Sequence, residues 1–282
     1  MDEVIIELKN VYYSYEDNDN SALNDINLKI KKGEVIAVMG ANGSGKSTLF
    51  LNLNGVLSPD QGIIKLNNVI IKNNKILRRH VGIVFQDADS QIIASTVKSE
   101  VAFGPFNLKL APDEVERRVS TALEYMNISH LANRTPHYLS GGEKKRVTIA
   151  DIIAMESDVI IFDEPNASLD PLNLEMLEVV LQKLNAEGKT LIISTHDVDF
   201  AYRIANRVIV LKEGCVLEDD TASKVFKNKE LLATSNLKQP SIFEIYEALV
   251  VSKYAEEKTV YPKTIEELKK CLFINKEKDN ED

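Results

Sequence analysis

The chain has 282 residues, of which 44% are hydrophobic, and its formal net charge is -9. This length suffices for a buried core in one large domain, or in one domain with an appendage. The acidic balance argues against a nucleic-acid partner, since proteins that bind nucleic acid usually present a basic face. The spacing of Cys215 and Cys271 indicates neither a metal site nor a disulfide framework, so we expect a reduced intracellular protein.

The N-terminal residues lack the pattern of a signal peptide, and no apolar run approaches the roughly 18 residues of a membrane span. If the protein acts at a membrane, we expect it to do so through a partner.

In chain order, residues 4–15 and 22–30 alternate like strands of an antiparallel sheet. The stretch "GEVIAVMG" predicts a buried strand that enters a glycine-rich loop, with a helix starting near Lys46. "GIIKLNNVIIK" predicts a hairpin that turns at Asn67 and Asn68, and "VGIVFQ" (81–86) predicts another strand.

Helical periodicity is clearest over residues 113–126, and further helices are predicted after "SGGE" and over 172–187. "DVIIFDEP" and "TLIISTH" are short apolar runs typical of buried parallel strands. "RVIVLKEGCVLED" predicts a hairpin around Glu213 and Gly214. Strands that alternate with helices indicate an α/β layered domain with an antiparallel sheet on its N-terminal side. A helical insert is predicted over about 87–150.

The pattern changes after about residue 230, so we divide the chain into a main domain, 1–230, and a C-terminal extension, 231–282. The extension predicts short amphipathic helices, with a capping box between Thr264 and Glu267, and its last residues, "NKEKDNED", predict a disordered tail. Its apolar residues are too many for a disordered segment. They must pack either on their own domain or against the same region of a second subunit, and we favour the second arrangement. These residues are Leu231, Leu232, Leu237, Ile242, Phe243, Ile245, Leu249, Ile265, Leu268 and Leu272.

A phosphate-binding loop is predicted at "GANGSGKS" (40–47), because the full P-loop pattern follows an apolar strand and opens a helix. Its backbone amides can wrap a polyphosphate, the Lys46 ammonium can reach the β- and γ-phosphates, and the Ser47 hydroxyl can ligate Mg²⁺. The candidate nucleotide-binding residues here are Gly40, Ala41, Asn42, Gly43, Ser44, Gly45, Lys46, Ser47 and Thr48.

Polar side chains follow three of the predicted core strands. In "VIIFDE", Asp163 is placed to bind Mg²⁺ through water, and Glu164 is placed as the general base for an attacking water. His196, after "TLIIST", can contact a γ-phosphate or hold that water. Gln86, after "VGIVF", can reach Mg²⁺ or water. We predict catalytic roles for Glu164, His196 and Gln86, and metal ligands in Ser47, Gln86 and Asp163.

A second phosphate-binding site is predicted at "LSGGE" (139–143), about a hundred residues after the P-loop. The Ser140 hydroxyl, the amides of Gly141 and Gly142, and the positive end of the following helix all suit a γ-phosphate. One domain therefore carries two candidate phosphate sites far apart in sequence.

The order P-loop, glutamine after a strand, "LSGGE", "IIFDEP", "SLD" and "STH" resembles that of the ATP-binding subunits of ABC transporters, over about residues 4–228. The resemblance implies a RecA-like P-loop core, an antiparallel β subdomain and a helical subdomain that carries the "LSGGE" signature. It also implies a head-to-tail dimer, in which each ATP lies between the P-loop of one subunit and the signature of the other.

By the same resemblance, Asp170 of "NASLD" couples the two ATP sites, and Tyr15 stacks on adenine, with Tyr13 as a rival. ATP and Mg²⁺ are the implied cofactors. Asn166 departs from the family, in which threonine is common at that position, and we expect no loss of activity from it.

The stretch "VFQDADSQIIASTVKSEVAFGPFNL" (84–108) resembles the same segment of energy-coupling-factor importers, and "AFGPFNL" favours the cobalt-import branch. That resemblance implies an integral membrane coupling subunit, a substrate-binding membrane subunit and a peripheral location on the cytoplasmic face of the cell membrane. We expect a docking face near Gln86 that includes Ile92, Ile93, Val97 and Phe103. A vitamin importer, a heterodimer with a second cassette and a soluble ABC ATPase remain as alternatives.

Overall fold

A computed structural model describes residues 3–16, 21–167 and 169–272. The strands are β1 (Val4–Tyr13), β2 (Leu23–Lys31), β3 (Val35–Met39), β4 (Gln61–Leu66), β5 (Val69–Ile70), β6 (Val81–Val84), β7 (Val159–Phe162), β8 (Thr190–Ser194), β9 (Arg207–Lys212) and β10 (Cys215–Thr221). The helices are α1 (Lys46–Asn54), α2 (Asn74–His80), α3 (Ala88–Gln91), α4 (Val97–Asn107), α5 (Pro112–Tyr125), α6 (Gly141–Met155), α7 (Pro171–Ala186), α8 (Val198–Ile204), α9 (Ala222–Lys227), α10 (Lys229–Thr234), α11 (Ser241–Val251) and α12 (Ile265–Lys269).

The N-terminal sheet has the order β2-β1-β4-β5, and its pairs are antiparallel. Its buried residues alternate along β2, as the sequence pattern predicts. The β4–β5 hairpin turns at Asn67 and Asn68, whose φ angles are 49° and 65°. Asparagine tolerates this left-handed conformation better than most residues do, which explains the turn at this position.

The central sheet has the order β10-β9-β3-β8-β7-β6 and is parallel except for β10. Strands β3, β6, β7 and β8 are buried along their whole length, which accounts for their continuous apolar sequences. The carboxyl ends of parallel strands lie at one edge of a sheet, where ligands bind in α/β folds. The P-loop, Gln86, Asp163 and His196 all follow strand ends at this edge.

Helices α4, α5 and α6 form the helical insert, and they pack on one another through buried residues such as Val101, Val119 and Val147. Two of the four residues predicted for an apolar docking face cannot belong to an exposed surface of this chain. Ile92 and Val97 are buried, because they turn inward to pack, whereas Ile93 and Phe103 are exposed.

The C-terminal extension packs on its own chain through aromatic rings. Phe243 and Tyr246 of α11 are fully buried and belong to the same core cluster as the central-sheet residues. Phe243 contacts the ring of Tyr202 on α8, and the Tyr202 hydroxyl donates a 3.1 Å hydrogen bond to the Tyr261 carbonyl. The predicted arrangement against a second subunit therefore concerns only those apolar residues that stay exposed, among them Ile245, Ile265 and Leu272.

Two further predictions for the extension have different outcomes. The Thr264 hydroxyl caps α12 by accepting from the Glu267 amide at 3.2 Å, but the Glu267 carboxylate accepts from the Lys263 amide instead of closing the box on Thr264. The tail predicted to be disordered lies outside the described residues. Among the described residues, no helix combines the length and apolar character needed to cross a membrane.

Candidate active site

The P-loop runs from the end of β3 to the first turn of α1, and its glycines are required by close backbone contacts. Gly40 has a φ of 148°, and a Cβ atom there would lie 2.2 Å from the Leu211 carbonyl oxygen. Gly45 precedes α1 with a φ of 103°, and its Cβ would lie 2.7 Å from the Ala22 carbonyl oxygen. Any larger residue would displace the loop, so these glycines hold its backbone in the wrapped shape that binds phosphate.

Lys46 lies at the start of α1 with its ammonium group folded over the loop. Its Nζ atom donates to the Gly40 carbonyl at 2.8 Å and to the Ala41 carbonyl at 3.2 Å. Burial lowers the pKa of Lys46, and the nearby carboxylates of Glu164 and Asp163 oppose that shift. A partly desolvated cation that faces the loop suits a polyphosphate, which would replace the two carbonyls as its partner.

Asp163 ends β7 and faces both the P-loop and β8. Its Oδ2 atom accepts a 3.1 Å hydrogen bond from the Ser47 hydroxyl, and its Oδ1 atom accepts one of 2.6 Å from the Ser194 hydroxyl. Two hard oxygen donors, Ser47 Oγ and Asp163 Oδ2, thus lie side by side at the floor of the cleft. Mg²⁺ prefers oxygen ligands and commonly takes only one or two from the protein, with water and phosphate oxygens completing its shell. The residues present therefore fit this ion.

Glu164 follows with a left-handed φ of 47°, which turns its carboxylate toward the cleft. The backbone amide of Glu164 donates to Ser194 Oγ at 2.8 Å, which fixes this unusual conformation. Its Oε1 atom lies 3.2 Å from His196 Nε2, and its Oε2 atom accepts from the His196 amide at 3.3 Å. Burial raises the pKa of Glu164, although the neighbouring His196 and Lys46 counteract this rise. A carboxylate with a raised pKa is a stronger base, as abstraction of a proton from water requires.

Tyr15 closes the cleft on the side of the N-terminal sheet. Its ring is 40% exposed, its hydroxyl lies 3.2 Å from Thr48 Oγ1, and Tyr13 meets it edge-on at 5.0 Å between centroids. Tyr15 lines the cleft, whereas Tyr13 packs against the core of the N-terminal sheet. The open position of Tyr15 favours it over Tyr13 as the residue that stacks on a base.

One open cleft of about 550 Å³ brings most of the predicted site residues together. Its lining comprises Tyr15, Ser21, Ala22, Asn42, Gly43, Gly45, Lys46, Ser47, Thr48, Gln86, Asp163, Glu164 and His196. The remaining P-loop residues, Gly40, Ala41 and Ser44, do not line this cleft, and of these Ala41 is exposed and Ser44 is buried. Asn166, which departs from the family pattern, accepts a 2.9 Å hydrogen bond from the Thr195 hydroxyl beside this cleft.

The signature residues and Asp170 do not line the cleft of their own chain. Ser140 caps α6, and Glu143 completes a capping box with it. A Cβ atom placed on Gly141 would have no neighbouring atom within 4 Å, so the space in front of this residue is open. Gly142 packs against Asn173 of α7, whose amide nitrogen donates to Asp170 Oδ2 at 2.7 Å. The signature and Asp170 therefore lie next to each other, outside the cleft of their own chain.

Two polar residues of the site were missed from sequence. Ser194 contacts both acidic residues of the cleft, and Lys145 donates to the carbonyl oxygens of Phe85 and Gln86 at 2.9 and 3.2 Å. Ser194 stands two residues before His196, so its place at the strand end was a usable signal. Lys145 lies within "GEKKR", where the neighbouring charged residues predict a solvated helix face and not a buried cation.

Comparison with known proteins places this geometry in a family. The family model described as "ABC transporter" matches residues 23–167. The chain is 45% identical over 249 residues to the energy-coupling factor transporter ATP-binding protein EcfA of Methanocaldococcus jannaschii, an alignment that covers 87% of this chain and 89% of that relative. The chain spans 60% of the length of a 45% identical ABC transporter ATP-binding protein from Methanosarcina mazei and 96% of a 42% identical one from Clostridium acetobutylicum.

Two solved structures resemble the chain closely. CbiO1 from Clostridium perfringens, described as part of the ABC transporter complex cbiONQ, matches with a TM-score of 0.73 and 42% identity, over 87% of this chain and 99% of that one. A dimeric bacterial ABC transporter cassette, MJ0796, matches with a TM-score of 0.69 and 32% identity, over 77% and 99%. A chain with this cleft and with 45% identity to an EcfA protein over most of its length belongs to the ABC transporter family, as an ATP-hydrolysing cassette of the energy-coupling factor group.

Proposed function

We propose that this chain powers the import of a cobalt ion through an energy-coupling-factor transporter in the cell membrane. The proposal that the transported ion is cobalt rests on the stretch "AFGPFNL" (102–108), which resembles the cobalt-import branch. The likeness to CbiO1, a part of the complex cbiONQ, supports the same branch. ATP hydrolysis at the cleft supplies the free energy for transport.

Each residue of the cleft has a role in this chemistry. The P-loop amides and Lys46 bind the phosphates of ATP, and Ser47, Asp163 and Gln86 would hold Mg²⁺. When bound, Mg²⁺ supplies positive charge that offsets the charge on the phosphate oxygens. Glu164 accepts the proton of the attacking water, and His196, 3.2 Å away, orients that carboxylate and contacts the γ-phosphate.

The position of the signature supports a second subunit. Ser140, Gly141 and Gly142 lie outside the cleft of their own chain, so a signature that binds γ-phosphate must serve the ATP of another chain. We infer a head-to-tail homodimer, and the dimeric form of MJ0796 supports that inference. Sedimentation of the Glu164→Gln protein with and without Mg-ATP tests it, because nucleotide would form part of the interface. A monomer under both conditions at micromolar protein would contradict the homodimer.

The transporter's membrane subunits would dock on the helical insert. Ile93, Phe103 and Phe106 are exposed apolar residues on the segment that follows Gln86, and Phe106 is 74% exposed. Exposed apolar side chains that lie near one another commonly mark a protein contact. We propose that an integral membrane coupling subunit binds there and that a separate membrane subunit binds the solute. The chain would then be peripheral, at the cytoplasmic face.

Reconstitution of the chain with these membrane subunits in lipid vesicles tests the proposal. We expect ATP-dependent uptake of radioactive Co²⁺, which Glu164→Gln should reduce by roughly 10²–10⁴ while ATP binding remains. Lys46→Ala should instead lose nucleotide affinity. Uptake of a vitamin but not of Co²⁺ would contradict the assignment of cobalt as the transported ion. A chain that does not purify with any membrane protein would contradict the transport role.

A further inference from the structure

Two buried charges hold the loop that carries Gln86. Among the described residues, the charged residues with the smallest exposed fractions, 2–8%, are Glu7, Lys46, Glu100 and Lys145. Glu7 pairs with surface lysines, and Lys46 serves the P-loop. The other two both contact residues 85–94. A buried charge destabilises a fold unless hydrogen bonds satisfy it, so the partners of such a charge show what it is for.

Lys145 reaches this loop from α6, five residues after the signature serine. Its Nζ atom donates to the Phe85 carbonyl at 2.9 Å and to the Gln86 carbonyl at 3.2 Å. The side chain is 6% exposed and has no acidic partner within ion-pair distance among the described residues. The backbone of Gln86 is therefore a main partner of this cation.

The opposite side of the loop is held by an anion from α4. Glu100, which is 2% exposed, accepts from the amides of Ile93 and Ala94 at 3.0 and 2.6 Å. Between the two charges, Gln91 Oε1 accepts from the Phe85 amide at 3.0 Å. The loop is thus fixed at its carbonyl groups by α6 and at its amide groups by α4, while the Gln86 side chain stays free to line the cleft.

We propose that Lys145 is a positioning residue, which ties the signature helix to the Gln86 backbone and so sets the Gln86 amide relative to Mg²⁺. The proposal rests on the metal-binding role given to Gln86 in the proposed function. Because α6 begins at the signature, a shift of this helix against a partner's ATP would pass through Lys145 to the chain's own Mg²⁺ site. One side chain would then couple the two ATP sites.

The test compares variants of the full-length chain. In Lys145→Met, which keeps the length but removes the donor, the Mg²⁺ concentration for half-maximal hydrolysis should rise about tenfold, the loss expected for a hydrogen bond from a charged group. The KM for ATP at saturating Mg²⁺ should stay within about twofold, since Lys46 and the P-loop are untouched. Lys98→Met is the matched control, because Lys98 pairs with the exposed Glu116 of α5 at the surface and not with a residue of 85–94. Its Mg²⁺ dependence should match that of the wild type.

A second readout needs neither metal nor nucleotide. Hydrogen exchange of the amides at 85–94 should be faster in Lys145→Met than in the wild type or in Lys98→Met, because the loop has lost one of its buried anchors. If Lys145→Met does not fold, the same measurements are made on Lys145→Gln, whose neutral amide keeps a hydrogen-bond donor without a buried charge. It should give a smaller shift in the same direction.

An unchanged Mg²⁺ dependence in the folded variant would overturn the proposal. So would lower thermal stability without faster exchange at 85–94, which would make Lys145 a structural residue only. A wild-type chain that hydrolyses ATP with no Mg²⁺ dependence would instead contradict the metal-site assignment. The two failures are therefore distinguishable.

Discussion

The Ser194 hydroxyl donates a 2.6 Å hydrogen bond to Asp163 Oδ1, across the boundary between β8 and β7. The same oxygen accepts from the Glu164 amide at 2.8 Å. One side chain thus fixes the carboxylate that we propose for Mg²⁺ and the backbone of the proposed base. Since the Asp163 carboxylate is held at Oδ1, its Oδ2 atom stays directed toward Ser47.

Replacement of Ser194 by alanine should therefore lower turnover without preventing folding. We expect a reduction of about tenfold in kcat, because both acidic residues lose a charge-assisted or backbone hydrogen bond. ATP affinity in the absence of Mg²⁺ should be unchanged. Ser157→Ala is a matched control, because that serine is buried as well but its hydroxyl has no hydrogen-bond partner among the described residues. Equal turnover in both variants would contradict the role of Ser194.

The base-stacking residue can be identified with two tyrosine variants. Tyr15→Ala should weaken ATP binding by about tenfold, the usual effect of removing one aromatic ring from a stacked base. Tyr15→Phe should bind nearly as the wild type, because it loses only the 3.2 Å contact with Thr48. Fluorescence titration with a labelled ATP analogue measures both. If Tyr13→Phe, which keeps the packing of the ring, weakened binding more than Tyr15→Ala did, the assignment to Tyr15 would be wrong.

Motif residues at strand ends could be predicted from sequence because the parallel sheet brings them to one edge. Asp163, His196 and Gln86 are far apart in the chain, yet an apolar strand before each one was enough to place them together. Buried polar residues on helices could not be predicted in this way. Lys145 lies within a charged sequence and Glu100 follows Lys98 by two residues, and only the packing of α4 and α6 against the loop shows that they point inward.

The extension shows the same limit for apolar residues. Sequence correctly required a burial site for Phe243, but it favoured a second subunit over the chain's own α8. The sequence shows that these apolar residues must be buried, but it does not show which part of the protein, or which partner, buries them. The rings of Tyr202 and Phe226, which meet the extension, lie on elements whose patterns predict only ordinary core positions.

Asp151 on α6 should make stability depend on pH. Burial and the nearby Glu100 raise the pKa of Asp151 to about 7. A carboxyl with a raised folded-state pKa contributes stability below its unfolded pKa, and this contribution is lost as pH rises through about 7. The Asp151→Asn variant has no carboxyl group at this position, so its stability does not change through this titration. The free energy of unfolding of this variant, relative to the wild type, should therefore increase by a few kcal/mol between about pH 5 and pH 8.

Thermal or urea unfolding at the two pH values measures that difference. Glu124→Gln is the control, because it removes a carboxylate at an exposed helical position. If Asp151→Asn showed a constant difference, Asp151 would be ionised in the same way in the folded and unfolded states. Its burial would then have no consequence for titration.

The last prediction concerns the exposed part of the extension. Ile245 and Ile265, 52% and 67% exposed, border a groove of about 630 Å³ between the extension and α7, which Pro171 and Leu174 also line. If this face holds a second subunit together when nucleotide is absent, Ile245→Asp with Ile265→Asp should turn a nucleotide-free dimer into a monomer. A buried charge at the centre of an apolar contact is costly, so the effect should be large.

Light scattering in nucleotide-free buffer measures the mass of each protein. Deletion of residues 231–282 is a poorer test, because it would uncover the rings of Tyr202 and Phe226, and the cassette would lose part of its core. The substitutions leave Phe243 and Tyr246 in place, so the fold should survive. Val69→Asp is the control for adding charge at an exposed apolar residue, since Val69 lies on the N-terminal hairpin. A wild type that is monomeric without nucleotide, or a double variant that stays dimeric, would show that the extension serves its own cassette alone.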